Sequence, residues 1–189
     1  MKLDKIAVAS GNKGKIAEIK QIFTGVEIVS MHELGFDGDI DETGKSFKKN
    51  AEIKAKFIAE KFSLPALADD SGLCVDFLHG APGIYSARYS GKGDAENRKL
   101  LLKQLEYTDA RGAYFESAVC LYFPDGKKFF GEGRTYGDIL REEQGANGFG
   151  YDSLFYSRDL EKSFGVATAE EKNSVSHRYR ALEDLRKKL

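Results

Sequence analysis

The sequence predicts an α/β protein in which helices flank a mixed β-sheet and the chain is divided into two lobes around a central cleft. Three observations carry that prediction. The N-terminal stretch reads strand, glycine turn, helix. A second helical pattern leads into an apolar strand that ends on two aspartates. Further on, the pattern changes to two β-rich runs joined by Pro124-Asp125-Gly126, a hairpin signal.

Taken in order, Ile6-Ala7-Val8-Ala9 is a short buried strand and Gly11-Asn12-Lys13-Gly14 a turn. Ile16, Ile19, Ile22 and Phe23 then fall at helical spacing, and Val26 to Val29 forms a second strand. From Ser46, an N-cap, the residues Phe47, Ala51, Ala55, Ile58 and Phe62 describe one face of a helix that stops before Pro65. Leu64 to Ala68 follows as a strand delivering Asp69 and Asp70 at its end, with turn character in Ser71-Gly72. A helix is predicted from Asp94 to Leu105, and the hairpin strands from Tyr114 to Phe123 and from Lys128 to Tyr136. Val175, Tyr179, Leu182, Leu185 and Leu189 line one face of a last helix.

Composition narrows the function classes. The chain has 189 residues, 41% apolar and 31% charged, the mix of a folded domain, and length favours one domain with two lobes. With 29 basic against 30 acidic residues no overall field draws it to nucleic acid or to an anionic membrane, so a polyanionic ligand must be gripped locally. Cys74 and Cys120 sit far apart among apolar neighbours and are read as buried reduced thiols. Met1 leads into Lys2-Leu3-Asp4-Lys5 without a signal-peptide core, and no apolar stretch is long enough to span a bilayer. A cytoplasmic location is expected.

Four constellations bear chemistry. Ser10-Gly11-Asn12-Lys13-Gly14-Lys15 lies where a strand meets a helix, so free backbone N–H groups, glycines and two lysines offer an anion site; alone, such a turn is equally an ordinary solvated connection. Asp69 and Asp70 supply carboxylates of the kind that hold Mg²⁺, although a bare pair also describes an exposed acidic turn. Adjacent residues on an extended chain point to opposite sides, so one of the two should face the cleft. The cluster Asp39, Asp41 and Glu42 offers a further ligand or simply complements the following helix dipole. Gly148-Phe149-Gly150-Tyr151-Asp152 puts two aromatics in a glycine-rich loop, where exposed rings suit stacking on a planar base and an aspartate accepts from ring N–H groups. Lys172-Asn173 and Ser176-His177-Arg178 gather donors for a carbonyl or phosphate near the last helix.

In this order, along nearly the whole chain, these segments resemble the inosine triphosphate pyrophosphatase family. The matching residues are Ser10-Gly11-Asn12 with Lys15; Glu42-Thr43-Gly44 with Phe47, Asn50, Ala51 and Lys54; Ala68 to Leu73 continuing into Gly80 to Arg88; Gly148 to Asp152; and Glu171-Lys172-Asn173 with Ser176-His177-Arg178. The resemblance implies an elongated α/β homodimer that hydrolyses the deaminated purine triphosphates ITP, dITP and XTP to the monophosphate and pyrophosphate. It implies that Ser10, Gly11, Asn12, Lys13, Gly14 and Lys15 hold the phosphates, and that Glu42 and Asp70 bind Mg²⁺ with Asp70 as general base. By the same resemblance Ser71 touches substrate, Phe149, Gly150, Tyr151 and Asp152 enclose the base, and Lys172, His177 and Arg178 complete its pocket. Asp69 then becomes a supporting carboxylate. Ser153 stands where that family commonly has proline, and Gly165-Val166-Ala167-Thr168 lacks an acidic residue common near that point.

A donor such as Arg178 would accept a 6-oxo purine and oppose the 6-amino group of adenine. Two other readings are a broader triphosphate pyrophosphatase, separated by a substrate panel, and a non-catalytic nucleotide sensor. The sensor has no need of a water-activating carboxylate.

Overall fold

The computed structural model describes residues 3–189, so Met1 and Lys2, with which the segment expected to lack a signal-peptide core begins, lie outside the described residues. Among the described residues the strands are β1 (Lys5–Val8), β2 (Glu27–Ser30), β3 (Ala66–Val75), β4 (Gly112–Tyr122), β5 (Lys128–Ile139), β6 (Phe155–Ser157) and β7 (Lys162–Ser163). The helices are α1 (Lys13–Ile22), α2 (Phe47–Phe62), α3 (Asp94–Gln104), α4 (Ala169–Val175) and α5 (His177–Arg186). The strands run in the order β2-β1-β3-β4-β5-β6-β7. The sheet is mixed: β1 is parallel to β2 and β3, whereas β6 is antiparallel to β5 and β7.

The chain forms two compact units. The first takes the described residues up to Asp70 together with Ser117–Gly133 and Arg178–Leu189; the second takes Ser71–Glu116 and Arg134–His177.

In the first unit, alternation along β1 sends Ile6 and Val8 to one face and Ala7 and Ala9 to the other. Ile19 and Phe23 of α1 and Ala181, Leu182 and Leu185 of α5 cover the former. Ala51, Ala55, Ile58 and Ala59 of α2 cover the latter. A strand segment buried on both faces has no polar positions to spare, which is why Ile6 to Ala9 read as an unbroken apolar run. Ile6, Ile58 and Leu67 have no exposed surface, and each contributes about 1.5–3 kcal/mol by burial. Helix α2 starts where predicted, the Ser46 side chain accepting from the Lys49 amide at 3.2 Å.

In the second unit Leu73 and Val75 of β3, Leu101 and Leu105 at the end of α3, and Phe115, Leu154, Phe155 and Phe164 form one cluster. The rings of Phe115 and Phe155 lie 4.7 Å apart. Cys74 and Cys120 are buried and free, as read from their neighbours.

Three local expectations need correction. Strand β3 does not end at the aspartates: it runs through Asp69, Asp70, Ser71 and Gly72 to Val75, because bonded partners for both carboxylates allow charge inside a buried strand. Lys13 and Gly14, predicted in a turn, form the first residues of α1, with Asn12 as cap accepting from the Lys15 amide at 3.1 Å. The single helix predicted from Val175 is two. Ser176, at φ −65° and ψ 153°, is extended and separates α4 from α5, so Val175 packs with the second unit's core while Leu182 and Leu185 serve the first.

Candidate active site

Because Asp69 and Asp70 are neighbours in an extended strand, their side chains leave β3 on opposite sides and enter different surroundings. Asp69 is fully enclosed. Its carboxylate lies 2.7 Å from Lys15 Nζ and 3.2 Å from Arg178 Nη2, and accepts from Ser117 Oγ at 2.5 Å. Arg178 Nη1 in turn pairs with Glu18. Burial opposes the charge on Asp69, but Arg178 and Lys15 outweigh it and hold the carboxyl well below the ordinary aspartate range. The same burial lowers the pKa of Lys15 against the pull of Asp69.

Asp70 meets a different set. Lys54 Nζ lies 3.0 Å from Asp70 Oδ1, 2.7 Å from Glu42 Oε1 and 3.0 Å from the Asp69 carbonyl. Asn50 Nδ2 donates to Asp70 Oδ2 at 3.1 Å. Burial raises the pKa of Asp70, and the charge of Glu42 adds to it against the opposing ammonium of Lys54. Lys54 is raised as well: burial disfavours its charge, but Asp70 and Glu42 more than compensate.

Two carboxylate oxygens and a backbone carbonyl thus converge on one cationic nitrogen. Hard oxygen donors in this number suit Mg²⁺, which is usually held by one or two carboxylates, waters and substrate phosphate. Among the described residues no cluster of three or more His, Cys, Asp and Glu offers an all-protein cage, and the donor set is of the sparse kind.

Ser10 Oγ accepts from the Asn12 amide at 3.1 Å, and Gly11, Asn12 and Lys13 are exposed while Gly14 and Lys15 are half-buried. The turn therefore presents the free N–H end of α1 with Lys15 beside it.

In the second unit the glycine-rich loop is held from three sides. Asp152 Oδ2 accepts from the Phe149 amide at 2.8 Å and lies 2.7 Å from Lys172 Nζ, which stands 4.5 Å over the Phe149 ring. Gly150 donates to Asp94 at 3.2 Å and accepts from Arg98 Nη1 at 2.9 Å. Gly148 sits at φ +77°, where a Cβ would strike Asp152 Oδ2, so the loop can close on that carboxylate only with glycine there. The concavity beside the loop has a volume of about 400 Å³ and is lined by Asp94, Arg98, Glu143, Phe149, Asp152 and Ser153. Ser153 donates to Glu143 at 2.7 Å.

The two aromatics of this loop differ. Phe149 is 38% exposed, whereas Tyr151, expected as a second exposed ring, is buried, with its hydroxyl donating to the Ser86 carbonyl at 2.8 Å. An apolar ring with one satisfied polar tip is stable inside, and the second unit's core has room for it. Asp152 is likewise buried rather than open.

The structure brings Glu42 and Asp70 together, Lys15 and Arg178 to Asp69, and Phe149, Asp152 and Lys172 to one another. Lys172, His177 and Arg178, expected as one group, have separate neighbours: Lys172 pairs with Asp152, the His177 ring stacks on Phe115 at 4.9 Å, and Arg178 pairs with Asp69 and Glu18. Ser71 is half-buried in β3 directly after Asp70.

Lys54 and Asn50 were legible only as part of the resemblance, yet a plainer signal existed. On α2 they fall among Phe47, Ala51, Ala55 and Ile58 at helical spacing, two polar residues on the apolar stripe. Glu18 and Ser117 left no such mark.

Known proteins resemble this chain along nearly its whole length. The model of the Ham1 family matches residues 6–188. A dITP/XTP pyrophosphatase from Thermoanaerobacter pseudethanolicus is 46% identical over 188 residues, covering 96% of this chain and 94% of that protein. One from Haemophilus influenzae is 45% identical over 193 residues, covering 98% of each. Among solved structures, the Staphylococcus aureus Ham1 protein superposes with a TM-score of 0.86 at 40% identity over 95% of each chain. A HAM1 protein from Coxiella burnetii gives 0.88 at 38% identity, over 97% of this chain and 96% of that one.

Proposed function

Because the chain belongs to the Ham1 family, we propose that it hydrolyses the deaminated purine triphosphates dITP, ITP and XTP to the nucleoside monophosphate and pyrophosphate. The observation that carries the reading is the convergence of Glu42 and Asp70 on one cationic position.

In the proposed reaction a water oxygen bonds to the α-phosphorus, the bond from that phosphorus to the bridging oxygen breaks, and pyrophosphate departs. Asp70 takes the proton of the attacking water. When bound by Glu42 and Asp70, Mg²⁺ supplies positive charge to the phosphate oxygens. The Ser10–Lys15 turn, through Gly11, Asn12, Lys13 and Gly14, binds the phosphates with backbone N–H groups and lysine charge. Ser71, which follows Asp70 in β3, contacts the substrate in this reading. Phe149 stacks on the base, Gly150, Tyr151 and Asp152 shape the loop around it, and Lys172 and His177 border it. We assign Arg178 a positioning role through Asp69, since its guanidinium is engaged by Asp69 and Glu18. The same reading includes a cytoplasmic homodimer, whose state light scattering reads.

A panel of triphosphates scored by released pyrophosphate, with and without Mg²⁺, tests the proposal. The expected result is Mg²⁺-dependent turnover with kcat/KM for dITP, ITP and XTP far above that for ATP and GTP. Comparable values for the standard triphosphates would replace it by a broader pyrophosphatase, and no turnover with any triphosphate would overturn it.

A further inference from the structure

Asn50 is a buried carboxamide inside a helix, a place where asparagine is an indifferent helix former and an unbonded amide is costly. Both ends of its side chain are engaged, and with different partners. Oδ1 accepts from the backbone amide of Gly44 at 2.8 Å, and Nδ2 donates to Asp70 Oδ2 at 3.1 Å. Gly44 follows Glu42 by two residues, so one carboxamide links the segment that carries Glu42 to the carboxylate on β3. The approach is close: a Cβ on Gly44 would lie 2.6 Å from Asn50 Oδ1 and 3.0 Å from the Asn50 backbone nitrogen. The remaining oxygen of Asp70, Oδ1, faces Lys54 and with it Glu42.

We propose that Asn50 is a positioning residue that couples the Glu42–Gly44 segment to Asp70 and so sets the spacing and orientation of the two carboxylates at the cation site. The proposal rests on the reading of Glu42 and Asp70 as the metal-binding and water-activating pair. An amide donor on Oδ2 fixes the plane of the Asp70 carboxylate and turns Oδ1 toward the point where Lys54 and Glu42 meet. The acceptor end holds the preceding segment so that Glu42 meets the same point. Either bond alone would orient one partner; the single side chain makes the two orientations interdependent.

The test uses Asn50→Ala and, separately, Gly44→Ala, which pushes the segment off Asn50 while leaving Asn50 and Asp70 intact. Both are measured in the whole protein for kcat and KM with ITP, for Mn²⁺ affinity by calorimetry without nucleotide, and for Tm. Loss of such an orienting contact weakens metal binding by about tenfold, and a misplaced reacting group lowers kcat by about 10²-fold. The expected pattern is that both variants show these losses with KM for ITP little changed, and that the double variant is no worse than the more affected single one. Wild-type kcat and Mn²⁺ affinity in Gly44→Ala, or effects confined to Tm, or strictly additive losses, would overturn the coupling. Should Asn50→Ala fail to fold, Gly44→Ala still decides. Absence of turnover in the wild-type protein counts against the proposed reaction, whereas the Mn²⁺ comparison reads the coupling by itself.

Discussion

Lys15 Nζ and Asp69 Oδ2 lie 2.7 Å apart, and the Asp69 side chain has no exposed surface. The lysine of the turn proposed to bind phosphate is therefore anchored from behind by a buried carboxylate. Asp69→Asn leaves Lys15 and Arg178 without their common counter-charge, and removing one partner of a buried pair costs about 3–5 kcal/mol. The expected outcome is a lowered Tm and denaturant midpoint, together with a raised KM for the triphosphate.

The depressed pKa of Asp69 also gives stability a pH signature. Its folded value lies below its unfolded value, so its contribution is complete above the ordinary aspartate pKa near 3.8 and is lost as pH falls through the folded value. Acid unfolding of the wild-type protein should contain this component at pH values below the ordinary carboxylate range. Chemical denaturation at a series of acidic pH values should show it missing in Asp69→Asn.

Asp70 behaves in the opposite sense. Its carboxyl is raised by burial in the metal-free protein, where an NMR titration should find it protonated above the ordinary aspartate range, and a bound divalent cation should draw that protonation back to lower pH. Asp70→Asn should keep the fold and bind nucleotide while losing most turnover, as read by circular dichroism, calorimetry and pyrophosphate release. Near wild-type turnover in that variant would sink the assignment of the base.

Arg178 separates two roles cleanly. As the partner of Asp69 and Glu18 it should cost about 3–5 kcal/mol when changed to alanine, with the ITP-over-ATP ratio of kcat/KM preserved. A collapsed ratio at unchanged Tm would instead place its guanidinium at the 6-oxo group of the base.

Burial pushes the Cys74 thiol up to about 11 and the Cys120 thiol up to about 12. Little thiolate exists at neutral pH, so alkylation should be slow in the native protein and complete once denaturant is added, as mass spectrometry reads.

The first strand and the helices from Ser46 and Asp94 could be read from sequence because their evidence is local: apolar spacing, a cap, a proline beyond the end. The extent of β3 could not. Whether a chain continues through two aspartates depends on Lys15, Arg178, Lys54 and Asn50, partners from 15 to 109 positions away. The break at Ser176 was hidden for a similar reason, since Val175 and Leu182 keep helical spacing while belonging to different cores. At the candidate site, Asp70, Glu42 and the turn at Ser10 stood out by chemistry and context, whereas the burial of Tyr151 followed from a carbonyl on a distant 3-10 turn, Gly83–Arg88.

The distance along the chain from Asp69 to Arg178 also imposes an order on synthesis. A ribosome that has released α1 and β3 has exposed both Lys15 and Asp69, but the second counter-charge of that aspartate lies 109 positions beyond it in the chain and is still to be made. Until then Asp69 has one cation rather than two, and α5 has not yet covered the sheet face that Ile6, Val8 and Leu67 share. The nascent first unit must wait, hydrated and incomplete, for α5 to arrive. Ribosome-arrested chains ending before and after α5 should accordingly differ sharply in their resistance to protease.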